Sequence, residues 1–219
     1  MADPISTATA PLAPLKTTRF TLSNGATLYR VHLDQFGPTQ FNPGTHGNAR
    51  FSPIKNASHQ PIPTLYAGLT MDCAMMETIF HDIPCSSEMK TIAESKLKNQ
   101  FLTSLLVTQD LTLISLQSVA LKKMGRPKAE IIESEKDKYP ISRQLAEQIY
   151  AECPDAHGLL WTSRQDDRTM AIMLFGDRVP QGALEQLGQS KYILDDPIAN
   201  AVYKLAENLD VLIVSDNGV

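Results

Sequence analysis

No apolar run in this chain reaches the roughly 20 residues that a membrane-spanning helix needs. Basic residues are not in surplus either: 20 Lys and Arg against 24 Asp and Glu leave a net charge of −4. Such a chain lacks the basic footprint of direct nucleic-acid or anionic-membrane binding. Cysteine is scarce, and Cys73, Cys85 and Cys153 are an odd set without framework spacing. That predicts free thiols in a reducing cytoplasm rather than a disulfide scaffold. Asp3 and several prolines stand where an export signal would carry a basic residue and an apolar run, so cytoplasmic residence is expected. Glycine-rich phosphate loops of the GxGxxG or GxxxxGK type are absent, as is GxSxG. His81 and Cys85 are four apart with Pro84 between them and no second pair at metal-ligand spacing, so no metal is expected.

What is present is one large globular domain's worth of sequence. Residues 1–17 are rich in Ala, Pro, Ser and Thr and predict a mobile tail, with a single domain over residues 18–219. RFTLSNGATLYRVHL carries Asn24-Gly25 between two apolar runs, a hairpin signal. FLTSLLVTQDLTLISL predicts a pair of strands broken at residues 108–110. KKMGRPKAEIIESEKDKY is charged and predicts a solvated excursion, in which Gly125-Arg126-Pro127 is followed at once by glutamates. A helix should begin near Ile141 after Tyr139-Pro140, with Leu145, Ala146, Ile149 and Tyr150 at helical spacing. GLLWTSRQDD predicts a strand breaking at Ser163, and TMAIMLFG a buried strand. Helices over residues 181–187 and 197–208 and a closing strand DVLIV follow. Strands and helices interleave without a strict βαβ rhythm, so the expected fold is α+β with a mixed or antiparallel sheet and flanking helices.

Residues 48–84, NARFSPIKNASHQPIPTLYAGLTMDCAMMETIFHDIP, carry the chemistry. The expected order is a strand-like ARFSP, a Pro-rich loop, a strand TLYAGL, and a helix from near Asp72 to Pro84. Arg50, Tyr66 and Glu77 then fall on three consecutive elements. Arginine grips phosphate oxygens in a bidentate fork, tyrosine stacks on flat rings, and a carboxylate steadies developing positive charge. The set suits a pyrophosphate-containing substrate with an aromatic leaving group. Taken alone, each residue also has an ordinary structural role. Glu77, at the border of the helix's apolar stripe, could be a rim carboxylate, and Arg50 or Arg30 half of a salt bridge. Tyr66 could be a core aromatic and Ser163 a turn hydroxyl.

The stretches LYRVH, ARFSP, TLYAGL with METIFH, and GLLWTSR together resemble the RES domain family, from about Leu28 to the C-terminus. The resemblance implies an ADP-ribosyltransferase-like core and an NAD⁺-consuming toxin, neutralised by a cognate Xre-type antitoxin. NAD⁺ is then substrate, and no cofactor is implied. The family's motif arginine falls on Arg50, its tyrosine on Tyr66, its glutamate on Glu77, its serine on Ser163, and its N-terminal Tyr-Arg on Tyr29 and Arg30. The implied catalytic set is Glu77, Arg50, Tyr66 and Ser163; the implied NAD⁺-binding set is Arg30, Tyr29, Arg50 and Tyr66. Ala49 and Phe51 stand where the family usually has glycine and tryptophan, and the loops over residues 36–48 and 54–63 are long. The implied reaction is cleavage of the nicotinamide–ribose bond with water or phosphate as acceptor. A protein ADP-ribosyltransferase and a non-catalytic nucleotide- or partner-binding module are the alternatives.

Overall fold

The computed structural model describes residues 14–84 and 88–215. Eight strands form one curled, mixed sheet in the order β1 (Arg19–Leu22), β6 (Leu111–Ser115), β7 (Gly158–Thr162), β8 (Met170–Phe175), β3 (Thr64–Gly68), β2 (Thr27–Leu33), β5 (Gln100–Val107) and β9 (Leu184–Tyr192). β6 and β7 run parallel and the other neighbours antiparallel, so the fold is α+β.

The Asn24-Gly25 turn is present, with Gly25 at φ 85°, but the strands it joins do not pair with each other. Nor do β5 and β6. Instead, β1 pairs with β6 from Arg19↔Ile114 to Leu22↔Leu111, and β2 continues the same register on β5 from Thr27↔Leu106 to Leu33↔Gln100. The two expected hairpins are thus one long antiparallel ribbon, bent where Gly25 donates to the Val107 carbonyl at 2.8 Å. A ribbon that bends between sheet halves turns a corner and lets one sheet curl over its own core. Leu22, Leu28, Leu65, Leu105, Leu113, Leu160 and Leu174 fill that interior.

Helices cover the outer faces. α4 (Tyr139–Glu152) buries Leu145, Ala146 and Ile149 against Trp161, Met173 and Phe175 of β7 and β8. α5 (Ile198–Asn208) packs Ile198, Val202 and Leu205 near α1 (Met71–Met76) and the small parallel sheet of β4 (Lys90–Ala93) and β10 (Val211–Val214). Three expectations need correction. The helix expected over residues 181–187 is the start of β9: pairing with β5 supplies ladder bonds that the polar sequence, with Gly182 and Gly188 at positive φ, could not match as a helix. The charged run holds the end of α2 (Ser118–Met124) and all of α3 (Lys128–Ile131), and Ile131 and Ile132 are fully buried under α4. Of the expected tail, residues 1–13 lie outside the described residues, whereas Leu15 packs on the α4 cluster and its N–H donates to Glu152 Oε2 at 2.6 Å. No helix among the described residues is long and apolar enough to cross a membrane.

Candidate active site

β2 and β3 are joined by a single residue pair, Tyr29↔Gly68. Beyond it they diverge, β2 staying with β5 and β3 with β8. A cavity of about 410 Å³ lies there, lined by Arg30 to Leu33 of β2, Thr64 and Tyr66 of β3, and Glu77, Thr78 and His81 beyond α1. The size falls within the roughly 300–1,000 Å³ of small-molecule sites. The long 36–48 loop supplies part of the lining through Phe36, Asn42, His46 and Gly47. Asn42 exchanges two backbone hydrogen bonds with Thr64, which fixes this loop to the lip of β3.

Gly68 sets the position of the carboxylate. A Cβ there would stand 2.7 Å from the Ala74 amide nitrogen and 2.8 Å from Cys73 Cβ, so only glycine lets α1 start this close to β3. Thr70 caps the helix by accepting from Cys73 N–H at 3.1 Å. The helix expected to reach Pro84 ends at Met76. The N–H groups of Thr78, Ile79 and Phe80 all converge on the Met75 carbonyl, which breaks the i→i−4 ladder. Glu77 is therefore the C-cap, not a stripe-border residue, and Phe80 turns into the core.

Arg50 lies in a tight turn bridged by Ala49 and Ser52, not in a strand. Its guanidinium sits 4.7 Å over the ring of Tyr139, and Nη1 donates to Ser134 O (3.0 Å), Ser134 Oγ (3.2 Å) and Ile131 O (3.4 Å). Arg30 donates through Nη1 to the carbonyls of Pro38 (2.6 Å) and Gly37 (3.3 Å). In both arginines Nε and Nη2 have no acceptor among the described residues, and neither guanidinium has a carboxylate partner there. Their exposures are only 5% and 9%. Burial pushes the Arg30 guanidinium down to about 10 and lowers that of Arg50, which Tyr139 and Glu77 partly offset. Two desolvated cations thus share a cavity with one carboxylate, Glu77, and with Arg164, whose guanidinium is paired with Glu135.

Tyr66 accepts a hydrogen bond from Phe51 N–H at 3.2 Å, which ties β3 to the Arg50 turn. Burial, more than any charge, raises its phenol above the ordinary tyrosine range. The Cys73 thiol is likewise pushed up to about 12 by burial and then by the charge of Glu77, so it is an inert core group.

Arg30, Arg50, Tyr66 and Glu77 all line the cavity, while Ser163 and Tyr29 do not. Ser163 is 1% exposed, and its Oγ accepts from the N–H groups of Gln165 (3.2 Å) and Asp166 (3.1 Å). That turn aims the Arg164 N–H at Glu77 Oε1, 3.1 Å away, so Ser163 meets the site through Arg164. Tyr29 stands at the Tyr29↔Gly68 pair, before the strands diverge, and packs against the α5 cluster instead. His81 bonds to the Thr78 carbonyl and to Asp82, and Cys85 lies outside the described residues. Among the described residues no three His, Cys, Asp or Glu side chains cluster as metal ligands do.

Several lining residues were not read from the sequence. His32 lies two residues beyond Arg30 on β2, a spacing that puts both on one face, and burial lowers its imidazole pKa. Its Nε2 meets Thr103 Oγ1 at 2.8 Å. Tyr139 comes from the charged run, as does Ser134 behind the wall, and only the fold brings them under Arg50. Gln100 Oε1 and Trp161 Nε1 are buried without hydrogen-bond partners among the described residues, and both residues line the cavity.

Against known families, a model described as RES domain matches residues 27–195. No curated protein matches the chain.

Proposed function

The chain belongs to the RES domain family, a toxin-like family linked to NAD, and on that premise we propose that it cleaves NAD⁺ at the nicotinamide–ribose bond. The carrying observation is the cavity's charge plan: two buried arginines with unspent N–H donors and no carboxylate partner among the described residues, beside a single lining carboxylate and a third arginine, Arg164, already paired with Glu135. A diphosphate supplies the missing anion, and the bidentate forks left by Nε and Nη2 match its oxygens. Tyr66 gives the nicotinamide ring a flat neighbour.

In the reaction the C–N bond breaks, nicotinamide leaves neutral with the bonding pair, and an oxocarbenium-like ribose remains. Glu77 stabilises that cation and accepts from the ribose hydroxyls, with the Arg164 N–H fixing the rotamer of the carboxylate. A positioned charge of this kind supplies about 2–4 kcal/mol. Nicotinamide needs no proton to depart, so the second carboxylate of ordinary glycosidases has no task here. Water or inorganic phosphate then adds at C1′ and releases a proton. A protein that consumes NAD⁺ harms its own cell, so this reading carries a neutralising antitoxin with it. Such an inhibitor would seat a carboxylate on Arg30 or Arg50 and compete with NAD⁺.

The test is to incubate the purified protein with NAD⁺, with and without phosphate, and identify the products. Nicotinamide with ADP-ribose or its 1″-phosphate is expected. Glu77→Gln should still bind NAD⁺ but turn over at least ~10²-fold more slowly, because the charge acts chiefly as the cation forms. ADP-ribose found on protein would make it a protein ADP-ribosyltransferase. Bound but intact NAD⁺ would make it a binding module.

A further inference from the structure

A dinucleotide carries a nucleoside at each end of its diphosphate, so a site that takes one needs two seats with a cation between them. The cavity with Tyr66 and Glu77 supplies one seat. A second cavity, of about 520 Å³, adjoins it, between the turns that follow α1 and the start of β4. The two share Thr78, His81 and Gln100 as a common rim. Hydrogen bonds hold that rim: His81 Nδ1 donates to the Thr78 carbonyl at 3.1 Å, and Gln100 Nε2 to the Lys96 carbonyl at 2.5 Å. The sheet sets the order of the parts. β2 lies between β3 and β5, so Arg30 stands between Tyr66 on β3 and Gln100 on β5, where the second cavity begins.

The second lining is of another kind. Ile79, Ile83 and Ile92 form an apolar wall; the first two are only partly buried by the core cluster behind them. Asp82 and Glu88 are balanced by Lys90 and Lys96, so the charged groups of the lining favour no anion. An apolar wall with polar groups at its edge suits a flat, uncharged base and its sugar, and the volume lies within the range of small-molecule sites. Resting on the NAD⁺ reading, we propose that this second cavity seats the adenosine half of the substrate. Its purine lies against Ile79, Ile83 and Ile92, and the diphosphate crosses from Arg30 over the shared rim. Binding energy gained there, remote from the bond that breaks, holds the nicotinamide ribose in place beside Glu77.

The test fills the second cavity and asks which half of the substrate is affected. Ile83 and Thr91 line it without lining the first, so Ile83→Trp and Thr91→Trp put a large ring into the seat from two separate segments. AMP and nicotinamide mononucleotide, the two halves of NAD⁺, should each compete with NAD⁺ in the wild type. In both variants the inhibition constant of AMP should rise about tenfold, while that of the mononucleotide stays within about twofold. Equal losses for the two halves, or a loss for neither, overturn the second seat alone. So does a wild type that cleaves NAD⁺ and is not inhibited by AMP. A wild type that neither binds nor cleaves NAD⁺ overturns both readings.

Calorimetry with the non-cleavable carbocyclic NAD⁺ analogue reads the same seat without turnover. Its affinity should fall about tenfold in Thr91→Trp. Thr91 is exposed on β4, and tryptophan suits a strand, so this variant keeps the fold even if Ile83→Trp does not. Wild-type affinity in Thr91→Trp overturns the proposal.

Discussion

Replacing Arg30 by methionine should leave the free protein at least as stable while removing NAD⁺ binding. Methionine fills most of the same volume without a charge. The fall of the guanidinium from its ordinary range to about 10 comes from burial alone. At roughly 1.4 kcal/mol per pH unit, that disfavours the charged state by about 3 kcal/mol in the folded protein. Against this stand two hydrogen bonds, to Pro38 O and Gly37 O, on a half-buried loop that water can reach. Their loss costs about 1–3 kcal/mol together. The balance is a gain of about 0 to 2 kcal/mol in stability, and each kcal/mol moves the midpoint of a domain this size by about 2–4 °C. Thermal unfolding followed by circular dichroism reads that shift. Calorimetry with the carbocyclic NAD⁺ analogue reads affinity, which should fall at least tenfold as a charge-assisted contact is lost. The same analogue should raise the melting midpoint of the wild type, because it binds only the folded state and neutralises a buried cation. Arg30→Met melting more than about 10 °C below wild type, with affinity intact, would refute the reasoning.

Arg50→Lys keeps the charge but loses the fork. Lysine can reach the Ser134 carbonyl or the diphosphate, not both, so NAD⁺ should bind about 1–3 kcal/mol more weakly in calorimetry. Full affinity in this variant removes Arg50 from the binding set. Ser163→Ala deletes the acceptor for one buried and one part-buried N–H group and should cost about 1–3 kcal/mol in denaturant unfolding. Because the same turn fixes Arg164 N–H on Glu77, kcat should drop more than KM changes. A raised KM at unchanged kcat would instead place the hydroxyl on the substrate.

The sequence alone determined the parts whose signals are local. Tyr139-Pro140 and the spacing of Leu145, Ala146 and Ile149 define α4, and Pro197 with the apolar stripe that follows defines α5. The strand TLYAGL and the helix opening near Asp72 were legible too, and they put Tyr66 and Glu77 on consecutive elements. The α+β class followed from the interleaving of such segments, and the family from four short stretches. Pairing partners were not legible, because a turn signal specifies the bend and not which strand lies alongside. Asn24-Gly25 turns the chain as expected, yet β1 and β2 find their partners far along the chain, in β6 and β5. The end of α1 was hidden for a related reason: Phe80 enters the core and unwinds a helix that sequence spacing would have continued. Tertiary structure also decided which side chains share the cavity. β2 and β3 separate after one residue pair, which excludes Tyr29, admits Arg30 and His32, and leaves Ser163 acting through a neighbour's N–H. The charged run looked solvated because its composition is polar, but the carbonyls of Ile131 and Ser134 are backbone groups that any sequence carries. Only the fold turns them toward Arg50, meeting part of that guanidinium's hydrogen-bonding need and leaving the rest open to an anion.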